Sequence, residues 1–169
     1  MDTKLFNDVV TTNTYQPLYL IPNPHNPNNF EKINQDVKFD FTIKKSNDTN
    51  QIIYINATLF NNNTDTIYFL SSSCEGDQYS LRFNNEKFDI LSFIHCNVSY
   101  PRMRKIAPKG QYDFGTYIKY SDNETKIKLG FDFYPVDKSI DLKAISLANI
   151  HHREEGKQTI IWANEKVIH

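Results

Sequence analysis

Val37-Lys-Phe-Asp-Phe-Thr-Ile-Lys44 sets an apolar side chain at every second position, with Lys38, Asp40, Thr42 and Lys44 between Val37, Phe39, Phe41 and Ile43. Successive side chains on a strand point to opposite faces, so this run reads as a half-buried β-strand. The phase returns in Ile53, Ile55, Ala57 and Leu59. Asn61-Asn-Asn-Thr-Asp65 then supplies turn formers, and Thr66-Ile-Tyr-Phe-Leu70 reads as the returning strand of a hairpin.

Working outward, Tyr79–Phe83 and Lys87–Phe93 flank Asn84-Asn85, a pair suited to a hairpin turn because Asn tolerates positive φ. Pro108-Lys-Gly110 is a further turn, entering a strand over Gln111–Tyr120; Ser121–Glu124 leads to another over Thr125–Tyr134. Ala144–His152 and Gln158–Ala163 close the pattern around a turn at Arg153–Lys157. A short helix fits only within Asp137–Leu147, and no stretch sustains a helical apolar period over three turns. These segments predict an all-β chain, an immunoglobulin-like two-sheet antiparallel sandwich of about nine strands.

The first 35 residues differ. Pro17, Pro22, Pro24 and Pro27 lie close together among asparagines, and proline cannot donate to a strand ladder. The reading is an extended arm over 1–35 and a β-sandwich domain over 36–169, with Tyr19 and Leu20 available to dock the arm. A chain of 169 residues is long enough for one domain with a core of its own. A net charge of −1 supplies no long-range field for nucleic acid or for an anionic membrane surface. The chain is rich in Asn, Lys and Ile, as AT-rich codons dictate, and N-x-Ser/Thr triplets at Asn47, Asn56, Asn62, Asn97 and Asn123 follow from that bias. The polar start Met1-Asp-Thr-Lys4 fits a mature chain whose leader has been replaced by a Met.

Two cysteines without a C-x-x-C spacing are expected to form a Cys74–Cys96 disulfide in an exported protein, with buried thiols as the other reading. In the chain-entropy model such a bridge contributes about 3 kcal/mol.

No set of residues carries catalytic chemistry. His151 and His152 are adjacent, so on a strand they diverge and cannot share a metal ion; His95 and Cys96 diverge in the same way. Ser71-Ser-Ser73 lacks the turn that exposes a nucleophilic serine, and Asp132, Asp137 and Asp141 do not match a calcium loop. Two surface features remain as candidate binding residues. Arg102, Arg104 and Lys105, with Lys109, form a basic knot beside Tyr100 and Pro101, suited to carboxylate or phosphate groups, with a solvated loop as the other reading. Tyr112 and Phe114 keep the inward phase, whereas Tyr117 falls out of it, so it is a candidate to face outward, as a sugar or protein platform requires, with core packing as the other reading.

The stretch Asn56-Ala-Thr-Leu-Phe-Asn-Asn-Asn-Thr-Asp-Thr-Ile-Tyr-Phe-Leu70 resembles the opening hairpin of immunoglobulin-like domains in bacterial exported and lipoprotein-type proteins. Ile106-Ala-Pro-Lys-Gly-Gln-Tyr-Asp-Phe114 is similar to a later turn in those domains, and the BsuPI-type proteinase-inhibitor domains share both features. The resemblance implies the sandwich fold; Cys74 and Cys96 have no counterpart in it, and it carries over no functional residue.

The function expected from these readings is a non-enzymatic binding module, exported to the periplasm, outer membrane or cell surface. It has no cofactor and no metal, and touches a membrane only through a lipid anchor preceding this sequence. Its partner is expected to be another protein, bound through loops at Ser71–Tyr79 and 97–109. Glycan binding through outward aromatic side chains is the alternative, and a hydrolase or metal-dependent enzyme the more distant one.

Overall fold

A computed structural model describes residues 36–45, 51–73, 76–92, 99–121, 126–139, 141–144 and 160–168. The proline-rich arm, both cysteines, His95, His151, His152 and the strand expected over 145–152 lie outside the described residues. So do the sequons at Asn47, Asn97 and Asn123.

The described chain is all-β, its only helical pieces being single 3₁₀ turns at Asp77–Ser80 and Leu142–Ala144. The strands are β1 (Val37–Lys45), β2 (Ile52–Asn61), β3 (Ile67–Ser72), β4 (Leu81–Phe83), β5 (Phe88–Leu91), β6 (Pro101–Ile106), β7 (Gln111–Tyr120), β8 (Lys126–Ile127), β9 (Leu129–Asp132), β10 (Pro135–Val136), β11 (Ile160–Trp162) and β12 (Lys166–Val167). They form four antiparallel sheets: β1-β2-β7-β5, β10-β3-β6, β11-β9-β4 and β12-β8. No described helix is long and apolar enough to cross a membrane.

The opening alternation holds. Phe39, Phe41 and Ile43 stand opposite Leu59, Ala57 and Ile55, and β2 in turn sets Ile53 and Ala57 opposite Ile118 and Phe114 of β7. All these side chains look to one face, where Phe131 lies between Phe39 (5.8 Å between ring centroids) and Phe114 (5.6 Å). Phe69 meets Tyr112 edge-on at 5.5 Å. The core thus lies between the four-stranded sheet and the smaller sheets, an arrangement compatible with a β-sandwich. Burying Phe41, Phe69, Phe131 and Phe133 almost completely contributes roughly 1.5–3 kcal/mol per side chain relative to exposure.

Among the described residues there are twelve strands, several of only two to four residues, against the expected nine or so over the whole chain. The run expected over 125–134 breaks at Lys128 into β8 and β9, and Pro135–Val136 continues past it to pair with β3. The segment expected to be a strand from Tyr79 begins instead as a 3₁₀ turn, after Gly76 at φ 74°. The basic stretch expected to be a loop is β6 itself, paired along its length with β3. Within Asp137–Leu147 the described residues hold only the 3₁₀ turn at Leu142–Ala144.

Both expected hairpins are corners between sheets. β2 pairs with β1 and β7, whereas β3 pairs with β6 and β10, so Asn61–Asp65 carries the chain across the core. Asn61 is 1% exposed, and its side-chain amide donates to the carbonyls of Asp65 (2.8 Å), Ile106 (3.1 Å) and Ala107 (3.0 Å). It thereby clasps this corner to the one between β6 and β7, where Gly110 N donates to the Ala107 carbonyl and Lys109 sits at φ 54°. Asn84-Asn85 likewise joins β4 and β5, which belong to different sheets, with Phe83 stacked on Phe88 at 5.7 Å. Alternation survives such a crossing, so a corner and a hairpin look alike in sequence.

Candidate functional site

β6 is an edge strand: β3 flanks it on one side, and no described strand pairs with the other. Its pairing extends past its start, where Tyr100 N donates to Ser73 Oγ (2.9 Å) and Ser73 N to the Tyr100 carbonyl (2.9 Å). Tyr100 is 66% exposed, and Arg102 and Lys105 are exposed as well. Arg102 and Arg104 share the face on which Ile106 enters the core, while Lys105 looks to the opposite face. Pro101 has no N–H to offer along this edge, and Pro and Lys keep an edge from pairing indiscriminately.

Arg104 is the member of the basic knot that is not available. Its guanidinium lies 3.5 Å from Asp77, which is buried, and 5.7 Å from the centre of the Tyr112 ring. Tyr112 donates its hydroxyl to Asp77 Oδ2 at 2.7 Å, and Thr116 donates to Gln78 Oε1 at 3.1 Å. These contacts pin the Asp77–Ser80 turn onto the inward face of β7. Burial, then the hydrogen bond and the negative charge of Asp77, push the Tyr112 phenol up from 10.0 to about 12, against the opposing charges of Arg104 and Arg102. A phenol held protonated to that pH is no general base near neutrality. Asp77 Oδ1 and Arg104 Nε are buried without a hydrogen-bond partner among the described residues.

A second buried carboxylate repeats this logic. Asp132 is fully buried and accepts from Arg82 Nη2 and from the Tyr134 hydroxyl, each at 3.0 Å. Arg82 also donates to the carbonyls of Tyr79 and Leu81, both at 2.9 Å. Asp132 therefore does not converge with Asp137 and Asp141, which accept from the backbone of Ser139 and Lys143 within their own turns. No group of three His, Cys, Asp or Glu side chains suited to a metal ion occurs among the described residues.

Tyr117 stands on the other side of the molecule's main sheet. Tyr112, Phe114, Thr116 and Ile118 look inward from β7, and Tyr117, 42% exposed, looks outward with Gln111, Asp113, Gly115 and Lys119. It faces Tyr54 of β2 directly across the pair, ring centroids 5.1 Å apart at 62°. A Cβ on Gly115 would fall 1.8 Å from the Tyr54 hydroxyl, so the phenol of Tyr54 lies across the bare backbone of β7. Asp113 is fixed alongside by Thr58 Oγ1 (2.6 Å) and Gln111 Nε2 (2.9 Å).

The structure thus brings Tyr100, Arg102, Arg104 and Lys105 together on one strand and leaves Tyr117 on a separate face. Asp77 escaped sequence reasoning because its partners Arg104 and Tyr112 lie far along the chain and no local spacing announces them. Tyr54 carried a signal: it sits between Ile53 and Ile55, in the outward phase of β2. No protein-family model matches the chain, and no curated protein matches it either.

Proposed function

We propose that the protein is a non-enzymatic binding module, exported from a bacterial cell and folded as an immunoglobulin-like two-sheet sandwich. Its partner is another protein, which presents an acidic surface to the start of β6. The observation that supports this reading is the split within the basic knot. Arg104 is tied inward to Asp77 and Tyr112, whereas Tyr100 and Arg102 stand exposed just beyond it on the same edge. Tyrosine and arginine are the side chains that most often anchor protein interfaces, because each offers a large rigid surface together with directed hydrogen bonds. Lys105, although on the other face, adds positive potential that speeds encounter with an acidic partner.

A photo-reactive phenylalanine analogue at position 100, which keeps an aromatic ring there and leaves Arg102 in place, in protein added to cell envelopes, tests this. One discrete protein adduct is expected, absent when the same group stands at position 117. No adduct from 100, or the same adduct from both positions, rejects the reading.

A further inference from the structure

We propose that the outer face of the β1-β2-β7-β5 sheet carries a second binding site, for a neutral oligosaccharide, centred on Tyr54, Gly115 and Tyr117. This goes beyond the recognition assigned to β6 and does not depend on it. A pyranose ring offers one apolar C–H face and a rim of hydroxyls, so its binding surface needs an aromatic plane with hydrogen-bond groups beside it.

Both are here. Tyr117 and Tyr54 form an angled aromatic corner, 62° between planes, and Gly115 leaves a side-chain-free floor over which the Tyr54 phenol extends. On that floor Asn56 stands directly opposite Gly115, and Thr58 opposite Asp113. The Asp113 carboxylate is oriented by Thr58 and Gln111, and carboxylate oxygens accept more than one hydrogen bond each, which leaves lone pairs for sugar hydroxyls. Tyr117 and Asp113 are four residues apart on one strand, about 13 Å at roughly 3.3 Å per residue, a span for a short chain of sugar rings.

Covering a sheet glycine with an aromatic ring is a stabilising device in itself and would explain Tyr54 alone. It does not involve Tyr117, which lies beside the glycine and presents a 42% exposed ring. Charge selects the class of ligand. Lys38, Lys44 and Lys119 share this face with Asp40, Asp89 and Asp113, and Lys166 pairs with Asp40 at 2.8 Å, so charges of both signs are interspersed and no single-sign field draws an anionic polymer. A neutral glycan meets no such barrier.

Native gels containing hydroxyethylcellulose, xylan, galactomannan, laminarin or starch provide the test. Retarded migration is expected in at least one gel, weakened at least tenfold in apparent affinity by Tyr117→Ala. Gly115→Ala is the second variant, because its methyl group displaces the Tyr54 phenol while deleting no aromatic ring. It should abolish retardation with the far-ultraviolet circular dichroism unchanged. Trp162→Phe should leave retardation intact; Trp162 is an exposed aromatic that lies over a different glycine, Gly130. Retardation in none of the gels, or retardation that survives both Tyr117→Ala and Gly115→Ala, overturns the proposal.

Discussion

The two faces of β7 carry similar residues to opposite ends. Inward, Tyr112 gives its hydroxyl to Asp77 and its ring to Phe69 and Arg104. Outward and five positions on, Tyr117 gives its ring to Tyr54 and to solvent. One residue type becomes a structural clasp on one face and a candidate contact surface on the other, and the phase of the strand decides which. β6 divides its arginines along the strand rather than by face: Arg104 is held against a carboxylate, and Arg102, two positions nearer the start of the strand on the same face, is exposed. Composition alone therefore does not separate a clasped side chain from an exposed one in this molecule; facing direction on β7 and position along β6 do.

The sharpest way to break this comparison is to truncate neighbours of opposite phase. Ile118 is fully buried and Tyr117 is beside it, so Ile118→Ala should cost about 2–5 kcal/mol in denaturant unfolding. Tyr117→Ala should cost about 0.5–1.5 kcal/mol, the worth of its ring pair with Tyr54. Equal losses would mean that the two faces are not distinct.

A smaller effect separates the arginines. Arg104→Ala leaves the buried Asp77 carboxylate short of a partner and should destabilise by about 1–3 kcal/mol. Arg102→Ala, at an exposed position, should stay within about 0.5 kcal/mol of the parent protein. A large loss at Arg102 would make the whole knot structural.

The smallest effect is a pH dependence. Tyr112 holds its proton to about 12 in the folded chain and only to its ordinary 10.0 when unfolded. Between those values the unfolded chain releases a proton that the native one keeps, so this contribution is present below pH 10 and is lost as pH rises through about 12. Stability should fall across that window by more in the parent protein than in Tyr112→Phe, followed by urea unfolding at several pH values. Identical slopes would contradict the Tyr112–Asp77 clasp.

Much of this was legible from phase. The rows Val37–Ile43 and Ile53–Leu59, the inward Tyr112 and Phe114 and the outward Tyr117 all follow from alternation, because a one-residue slip would turn each core side chain to solvent. What alternation does not carry is which strand lies beside which. Asn61–Asp65 and Asn84-Asn85 have hairpin chemistry, yet the corner at Asn61 is decided by three carbonyls, two of them on residues 106 and 107. The basic knot was legible as a set of residues but not as an edge strand. The polar pairings Asp77–Arg104, Asp77–Tyr112 and Asp132–Arg82 join separate segments, so only the folded chain shows them. Tyr54 was readable in principle, as the residue out of phase between two core isoleucines.

The central claim is that the exposed start of β6, and not the Arg104 that Asp77 holds in the same basic knot, recognises an acidic protein. Charge reversal at Arg102, measured as the dissociation constant for the partner captured through position 100, addresses it most directly. Arg102→Glu should weaken binding at least tenfold at low ionic strength, by less as salt rises, with the unfolding midpoint unchanged. Parent-like affinity in Arg102→Glu at every salt concentration would contradict the account.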